Sequence, residues 1–339
     1  GLYAIIYMLS LIGVYKKIKA LLNKVIDPEG ANASSAIVFV EGDVILLLDS
    51  SWHLPAWGAI KEAKKNGAVI IAVIYDLIPI THPQFCEQAL CKVFNIWFEK
   101  GKTNVDGYIA ISQTVMRSVQ DYLISKNEII EHEKFGYFYL GADISEVEER
   151  ARVELKNTIS KEDSYLIVST IEPRKNHQYL FDVFTKLWAK GEHVKLHIVG
   201  RVGWKVRELI KKMEGHPQFN KQLFIWNDLD DAELVYCYKN SKALVFPSYV
   251  EGFGLPIIEA QHYHLPVLAS DTSIHREIGK ENIIYFDIND TTDLTNKISE
   301  IEAGNRLLKQ NDNFDFEEFT WKRSTERLIN EVQRISALL

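Results

Sequence analysis

Short unbroken apolar runs alternate with amphipathic stretches along most of the chain. In the first half, residues 44–49 (VILLLD), 68–76 (AVIIAVIYD), 108–112 (YIAIS) and 135–140 predict strands. Between them, 60–66 (closed by Gly67), 91–100 and 113–125 predict helices. The pattern restarts with a strand at 165–169 and continues with strands over 195–199, 223–226, 243–247, 266–270 and 283–286. Helices are expected over 177–190, 205–213, 232–240, 256–263, 291–301 and 321–338. Strands that are apolar throughout, rather than at every second position, need cover on both faces. With helices between them, the result is a parallel, doubly wound α/β sheet, here in two copies.

Residues 143–163 are acidic and polar, with few large apolar groups, and read as an interdomain segment. The expected division is a domain over 1–150, a second over 151–315, and a terminal helix over 316–339. At the N-terminus, 2–15 is almost wholly apolar but too short for a bilayer span, which takes ~20 residues. A basic amphipathic run, 16–26 (KKIKALLNKVI), follows. Two readings stand: a core helix with a solvated lysine face, or a peripheral membrane contact through residues 2–26. No signal-peptide pattern is present, so a cytoplasmic location, including the inner face of the membrane, is expected.

Composition narrows the function. The 339 residues are 47% apolar and 25% charged, which suits two packed cores. The net charge of −7, with no long basic run, argues against a nucleic-acid partner. An anionic ligand must then meet a few placed cations or a helix N-terminus. Cys86, Cys91 and Cys237 form no CxxC pair and no disulfide framework.

Ligands of doubly wound sheets bind beyond the carboxyl ends of the strands. The loop after the strand at 243–247 carries the strongest constellation, 251–260 (EGFGLPIIEA). Gly252 and Gly254 permit a tight turn and close approach of a ligand to backbone. Pro256 suits a first helical turn. The amides of Phe253, Gly254 and Leu255 then form an anion site, suited to phosphate. Glu251 and Glu259 bracket it and can grip hydroxyls on either side. After another strand, Arg174 and Lys175 can neutralise a diphosphate leaving group.

These residues resemble the glutamate-x₇-glutamate signature of retaining nucleotide-sugar glycosyltransferases of the GT-B fold, glycosyltransferase family 4. The resemblance extends through 169–177 (STIEPRKNH), 198–204 (IVGRVGW) and 319–321 (FTW). In the first half, 42–52 (GDVILLLDSSW) and 75–79 (YDLIP) look like the bacterial polysaccharide branch, with its mannosyl- and rhamnosyltransferases. The resemblance implies two Rossmann-like domains facing a cleft, donor in the second and acceptor in the first. It implies a last helix, from about Trp321, that crosses back to the first domain. It places Glu251 on the donor sugar hydroxyls, Glu259 on the ribose, and Arg174 and Lys175 on the pyrophosphate. Many members carry the pyrophosphate arginine directly after a strand glycine. Here Ser169 and Thr170 stand there, so Arg174 supplies the charge. The implied reaction moves a hexose, mannose from GDP-mannose by branch likeness, to a hydroxyl of a growing surface polysaccharide with retained configuration. The acceptor is a glycan or lipid-linked glycan, and neither metal nor further cofactor is needed. Competing readings are another nucleotide-sugar enzyme on the same fold, such as an epimerase or a phosphorylase; a non-catalytic subunit partnering a second glycosyltransferase domain; and a membrane-surface binding protein.

Weaker signals complete the expected site. Thr170, Gly200, Asn227 and Asp228 follow strands on the donor side, with Trp226 beside the nucleobase and Trp204 packed at the base of the cleft. Asp228-Leu-Asp230 matches a metal-binding Asp-x-Asp, but Asp230-Asp-Ala-Glu233 also reads as a helix capping box, which is preferred. In the first domain Asp76, ending a buried strand, is either catalytic or a loop cap. Trp52, His53 and His82 are acceptor-side candidates.

Overall fold

The computed structural model describes residues 39–48, 52, 57–142, 150–308 and 314–339. His53 and the N-terminal run 2–26 lie outside them.

The first sheet has four parallel strands in the order β1 (Val44–Leu47), β2 (Val69–Ile74), β3 (Gly107–Ala110), β4 (Phe135–Tyr137). Helices α1 (Trp57–Lys65), α2 (Ile78–Thr81), α3 (Gln88–Asn104) and α4 (Gln113–Ser125) connect them. β2 shows why its sequence is apolar throughout. Ile70, Ala72 and Ile74 face one core with Trp97, Phe98 and Val119, while Ile71 and Val73 face another.

After α5 (Val153–Thr158), the second sheet is built from β5 (Ser164–Val168), β6 (Lys195–Val199), β7 (Leu223–Trp226), β8 (Ala243–Phe246), β9 (Val267–Ser270) and β10 (Ile284–Phe286). All its pairings are parallel, in the order β10-β9-β8-β5-β6-β7. Its helices are α6 (His177–Ala189), α7 (Arg207–Glu214), α8 (Asp231–Asn240), α9 (Leu255–His262), α10 (Ser273–Gly279) and α11 (Thr291–Glu302). The order reverses between β5 and β8, so a crevice opens past their carboxyl ends. The segment read as interdomain is not wholly irregular: α5 buries Leu155 completely.

The last helix, α12 (Trp321–Ser336), lies against β3 and β4 of the first sheet. Three glycines make room for it. A Cβ at Gly107 would strike Ile335, one at Gly136 would strike Glu331, and one at Gly141 would strike Trp321. One continuous core runs from Ile71 and Ile109 through Phe138, Phe319 and Phe253 to Leu166 and Phe246, joining the inner faces of both sheets. None of the described helices is long and apolar enough to cross a membrane.

Candidate active site

Arg174 and Lys175 lie in a short 3₁₀ turn after β5, and Glu251 in the loop after β8. The strand-order reversal brings these two loops side by side, and the Tyr249 amide donates to the Arg174 carbonyl at 2.9 Å. Arg174 Nη1 and Lys175 Nζ each donate to Glu251, both at 2.5 Å. Arg174 Nε is 2.6 Å from buried Glu172. Burial pushes the Glu251 carboxyl up, but Lys175 and then Arg174 more than reverse this and hold it at about 2. Burial wins at Lys175, whose ammonium is weakened despite Glu251. Burial also lifts Glu172, opposed by Arg174 and Lys175. Lys175 packs its ammonium 5.2 Å from the Phe246 ring centroid.

Past the carboxyl ends of β5, β6 and β7 lies a cavity of about 410 Å³ lined by Thr170, Gly200, Arg201, Trp226, Asn227 and Leu234, among others. Gly200, at φ 145°, passes so close to the Ser169 carbonyl that a Cβ would collide with it. The loops after β5 and β6 then zip together through Ile171 N to Arg201 O at 2.8 Å and Gly203 N to Ile171 O at 2.9 Å. Asp228 is not among the lining residues. It faces outward and accepts from Arg152 at 2.9 Å, while Arg152 also grips Glu233 at 2.7 Å. The reciprocal capping box of α8 is present: Asp230 Oδ1 accepts from Glu233 N at 3.0 Å, and Glu233 Oε2 from Asp230 N at 3.3 Å.

Gly254, in the left-handed region at φ 106°, turns the chain into α9, with Leu255 and Pro256 its first residues and Phe253 buried beneath. The close approach expected at Gly252 is made by protein rather than by a ligand. A Cβ there would strike the Tyr75 carbonyl of the first domain, so only glycine admits that contact. Glu259 accepts from the Tyr238 hydroxyl at 2.5 Å, and burial raises its carboxyl.

From the first domain, Asp76 comes close enough to Arg174 and Glu251 to feel both charges. Burial dominates and raises its carboxyl, opposed by the Ile78 amide, which donates to Asp76 Oδ1 at 2.8 Å. Asp76 thus caps α2 and also lines a cavity of about 250 Å³ with Trp52, Pro79, Phe94 and Trp97. His82 is not in that lining; its ring stacks on Phe85 at 6.2 Å, and Phe85 stacks on Tyr249 of the second domain at 5.3 Å. Trp204 departs from expectation. It is 37% exposed, and its indole N–H reaches across the cleft to the Phe85 carbonyl at 3.0 Å. An aromatic ring read as packing is thus spent on a rim contact, because the loop after β6 projects toward the first domain.

Sequence reading passed over Glu172, Tyr238, Arg152 and Glu277, since each sits in an ordinary helical or polar context. For Tyr238 a faint signal existed: it lies two turns into a helix whose start lines the cleft.

Residues 149–315 match the family model described as Glycosyl transferases group 1. The chain is 30% identical over 325 residues to the serotype-specific mannosyltransferase WbdA of Escherichia coli, an alignment covering 91% of this chain and 39% of that protein. It therefore spans about two fifths of the length of that relative. It is 24% identical to the O-antigen chain mannosyltransferase RfbU of Salmonella typhimurium over 230 residues, 68% of this chain and 60% of RfbU. Among solved structures it resembles HepE of Anabaena, in complex with UDP and glucose, with a TM-score of 0.60, 16% identity, and coverage of 87% and 77%. That likeness shows the fold: two facing Rossmann-like domains, the GT-B arrangement.

Proposed function

We propose, from the match of residues 149–315 to the glycosyl transferases group 1 family model, that the chain transfers a hexose, with mannose favoured, from a nucleoside-diphosphate sugar to a hydroxyl of a growing surface glycan. The relatives named as mannosyltransferases support the sugar, and GDP-mannose is the donor proposed with it. The observation that carries the reading is the Arg174–Lys175–Glu251 triad at the strand-order reversal, with Lys175 and Glu251 buried, faced by Asp76 from the other domain.

In this reading the nucleobase enters the cavity at Asn227 and Trp226, with Glu259 toward the ribose. The diphosphate takes over the two cations that Glu251 now holds. Glu251 is thereby released to accept from donor sugar hydroxyls. The bond from the anomeric carbon to the β-phosphate oxygen breaks, and Arg174, Lys175 and the amides at the start of α9 stabilise the charge that develops. The acceptor oxygen bonds to that carbon on the same face, and its proton passes to the departing phosphate. No protein nucleophile and no metal enters this route, and the anomeric configuration is retained. The aromatic cavity beside Asp76 is the proposed acceptor subsite.

Incubation with GDP-[¹³C]mannose and a mannose-terminated acceptor tests the proposal. NMR of the product should show an α-linkage from the α-configured donor, with turnover unaffected by EDTA. Nucleoside diphosphate release with no glycan product, or an inverted linkage, contradicts it. If no donor binds, the chain is a partner subunit instead.

A further inference from the structure

Helix α4 begins against the second domain, and its N-terminus is capped from both domains at once. Ser112, its N-cap, accepts from Val115 N at 3.1 Å and donates to the Gly252 carbonyl at 2.9 Å. The next two amides, Gln113 and Thr114, have no acceptor in their own helix because they lie in its first turn. Both donate to Glu277 of α10, at 2.7 and 2.8 Å, and the Thr114 hydroxyl donates to the same carboxylate at 2.5 Å. A carboxylate is the favoured partner there, since the helix N-terminus carries partial positive charge. Glu277 also faces the Tyr139 hydroxyl, which burial first and this carboxylate second push upward. Tyr139 in turn packs on Phe253 at 5.8 Å and Phe319 at 5.5 Å.

These contacts surround a place where the two halves of the proposed site meet. Ser112 holds the Gly252 carbonyl, Gly252 lies under the Tyr75 carbonyl, and the next residues on either side are Asp76 and Glu251. Glu277 touches neither a proposed substrate nor the reacting atoms. We infer that Glu277 is a positioning residue, an interdomain latch that holds Asp76 and the acceptor side in register with the Arg174–Lys175–Glu251 triad. This rests on the transfer reading above and adds to it a residue on which turnover, but not nucleotide capture, depends. The triad and the cavity at Asn227 belong to the second domain alone, so they hold a nucleotide whether or not the latch is made.

The test compares Glu277→Gln and Glu277→Ala with the wild-type full chain by three measurements: GDP and UDP affinity by calorimetry, steady-state transfer, and interdomain separation by small-angle scattering. Affinity for the preferred nucleotide should stay within about twofold, since its contacts are untouched. Loss of charge-assisted bonds should lower kcat about tenfold to a hundredfold in Glu277→Ala. Glu277→Gln, which keeps a carbonyl acceptor, should recover part of that loss, and the radius of gyration should rise in the order wild type, Gln, Ala. An alanine variant with unchanged kcat and unchanged dimensions overturns the latch. A wild-type chain that binds neither nucleotide overturns the transfer reading instead, while the scattering comparison still decides the latch.

Discussion

A carboxylate as buried as Glu251 would ordinarily take up a proton, and it stays ionised only because two cations are bonded to it. Its folded-state value of about 2 lies below the ordinary 4.5. The sign follows: its stabilisation is complete above pH 4.5 and is lost as pH falls toward 2, amounting to about 3 kcal/mol at neutrality. Glu251→Gln leaves Lys175 without its carboxylate partner and Arg174 with Glu172 alone, and should destabilise by about 3–5 kcal/mol at pH 7. The lower end is expected, because Arg174 keeps its ion pair with Glu172. Urea unfolding of both proteins across pH 2–7 should show the variant's curve flattened below pH 4.5; an unchanged acid dependence contradicts the assignment. Tyr238→Phe should cost about 1 kcal/mol of stability and weaken GDP binding several-fold in calorimetry, since Glu259 loses the bond that aims it. Glu251, Arg174 and Lys175 were legible because each follows a buried strand in a loop the topology sends to the cleft. Tyr238 and Glu277 were not, because their roles come from which neighbour their helix packs against.

Strand existence was legible and strand ends were less so. The run 68–76 is apolar on both faces of a covered sheet, yet β2 ends at Ile74, because Asp76 turns back to cap the next helix. The short helices α2 and α10 escaped notice, as four and seven residues carry no clear period. The terminal helix was visible as a repeating apolar stripe, but its glycine-lined seat was not, since Gly107, Gly136 and Gly141 come from three separate places in the sequence. Ile335 is fully buried in that seat. Ile335→Ala should therefore cost about 2–5 kcal/mol in chemical denaturation. Gly141→Ala should cost at least as much per atom added, because the helix must shift away from β4's exit rather than leave a void. A neutral result for both would mean that α12 docks elsewhere in solution.

At the scale of the molecule, neither domain contains the whole site. The triad is in one and Asp76 in the other, so the proposed transfer requires the two to be held together. They touch along two rims of unequal character. At one, Glu277 and Ser112 make bonds that are half-buried or buried, three of them to a carboxylate. At the other, the Trp204 indole makes an exposed bond to the Phe85 carbonyl at 3.0 Å and the Lys205 ammonium a half-buried one to the Cys86 carbonyl at 2.9 Å, both to neutral acceptors, beside the Phe85–Tyr249 stack. Hydrogen bonds to a neutral carbonyl contribute about 1 kcal/mol each, less than those to a charged carboxylate. Closure should therefore be governed by the first rim, with the second acting as the side that yields when donor enters. The double variant Trp204→Phe/Lys205→Met should leave nucleotide dissociation in stopped-flow displacement within about twofold of wild type while lowering kcat less than Glu277→Ala does. If it lowers kcat more, the ranking of the rims is reversed, and the loop after β6 rather than α10 sets the register in which the two domains meet.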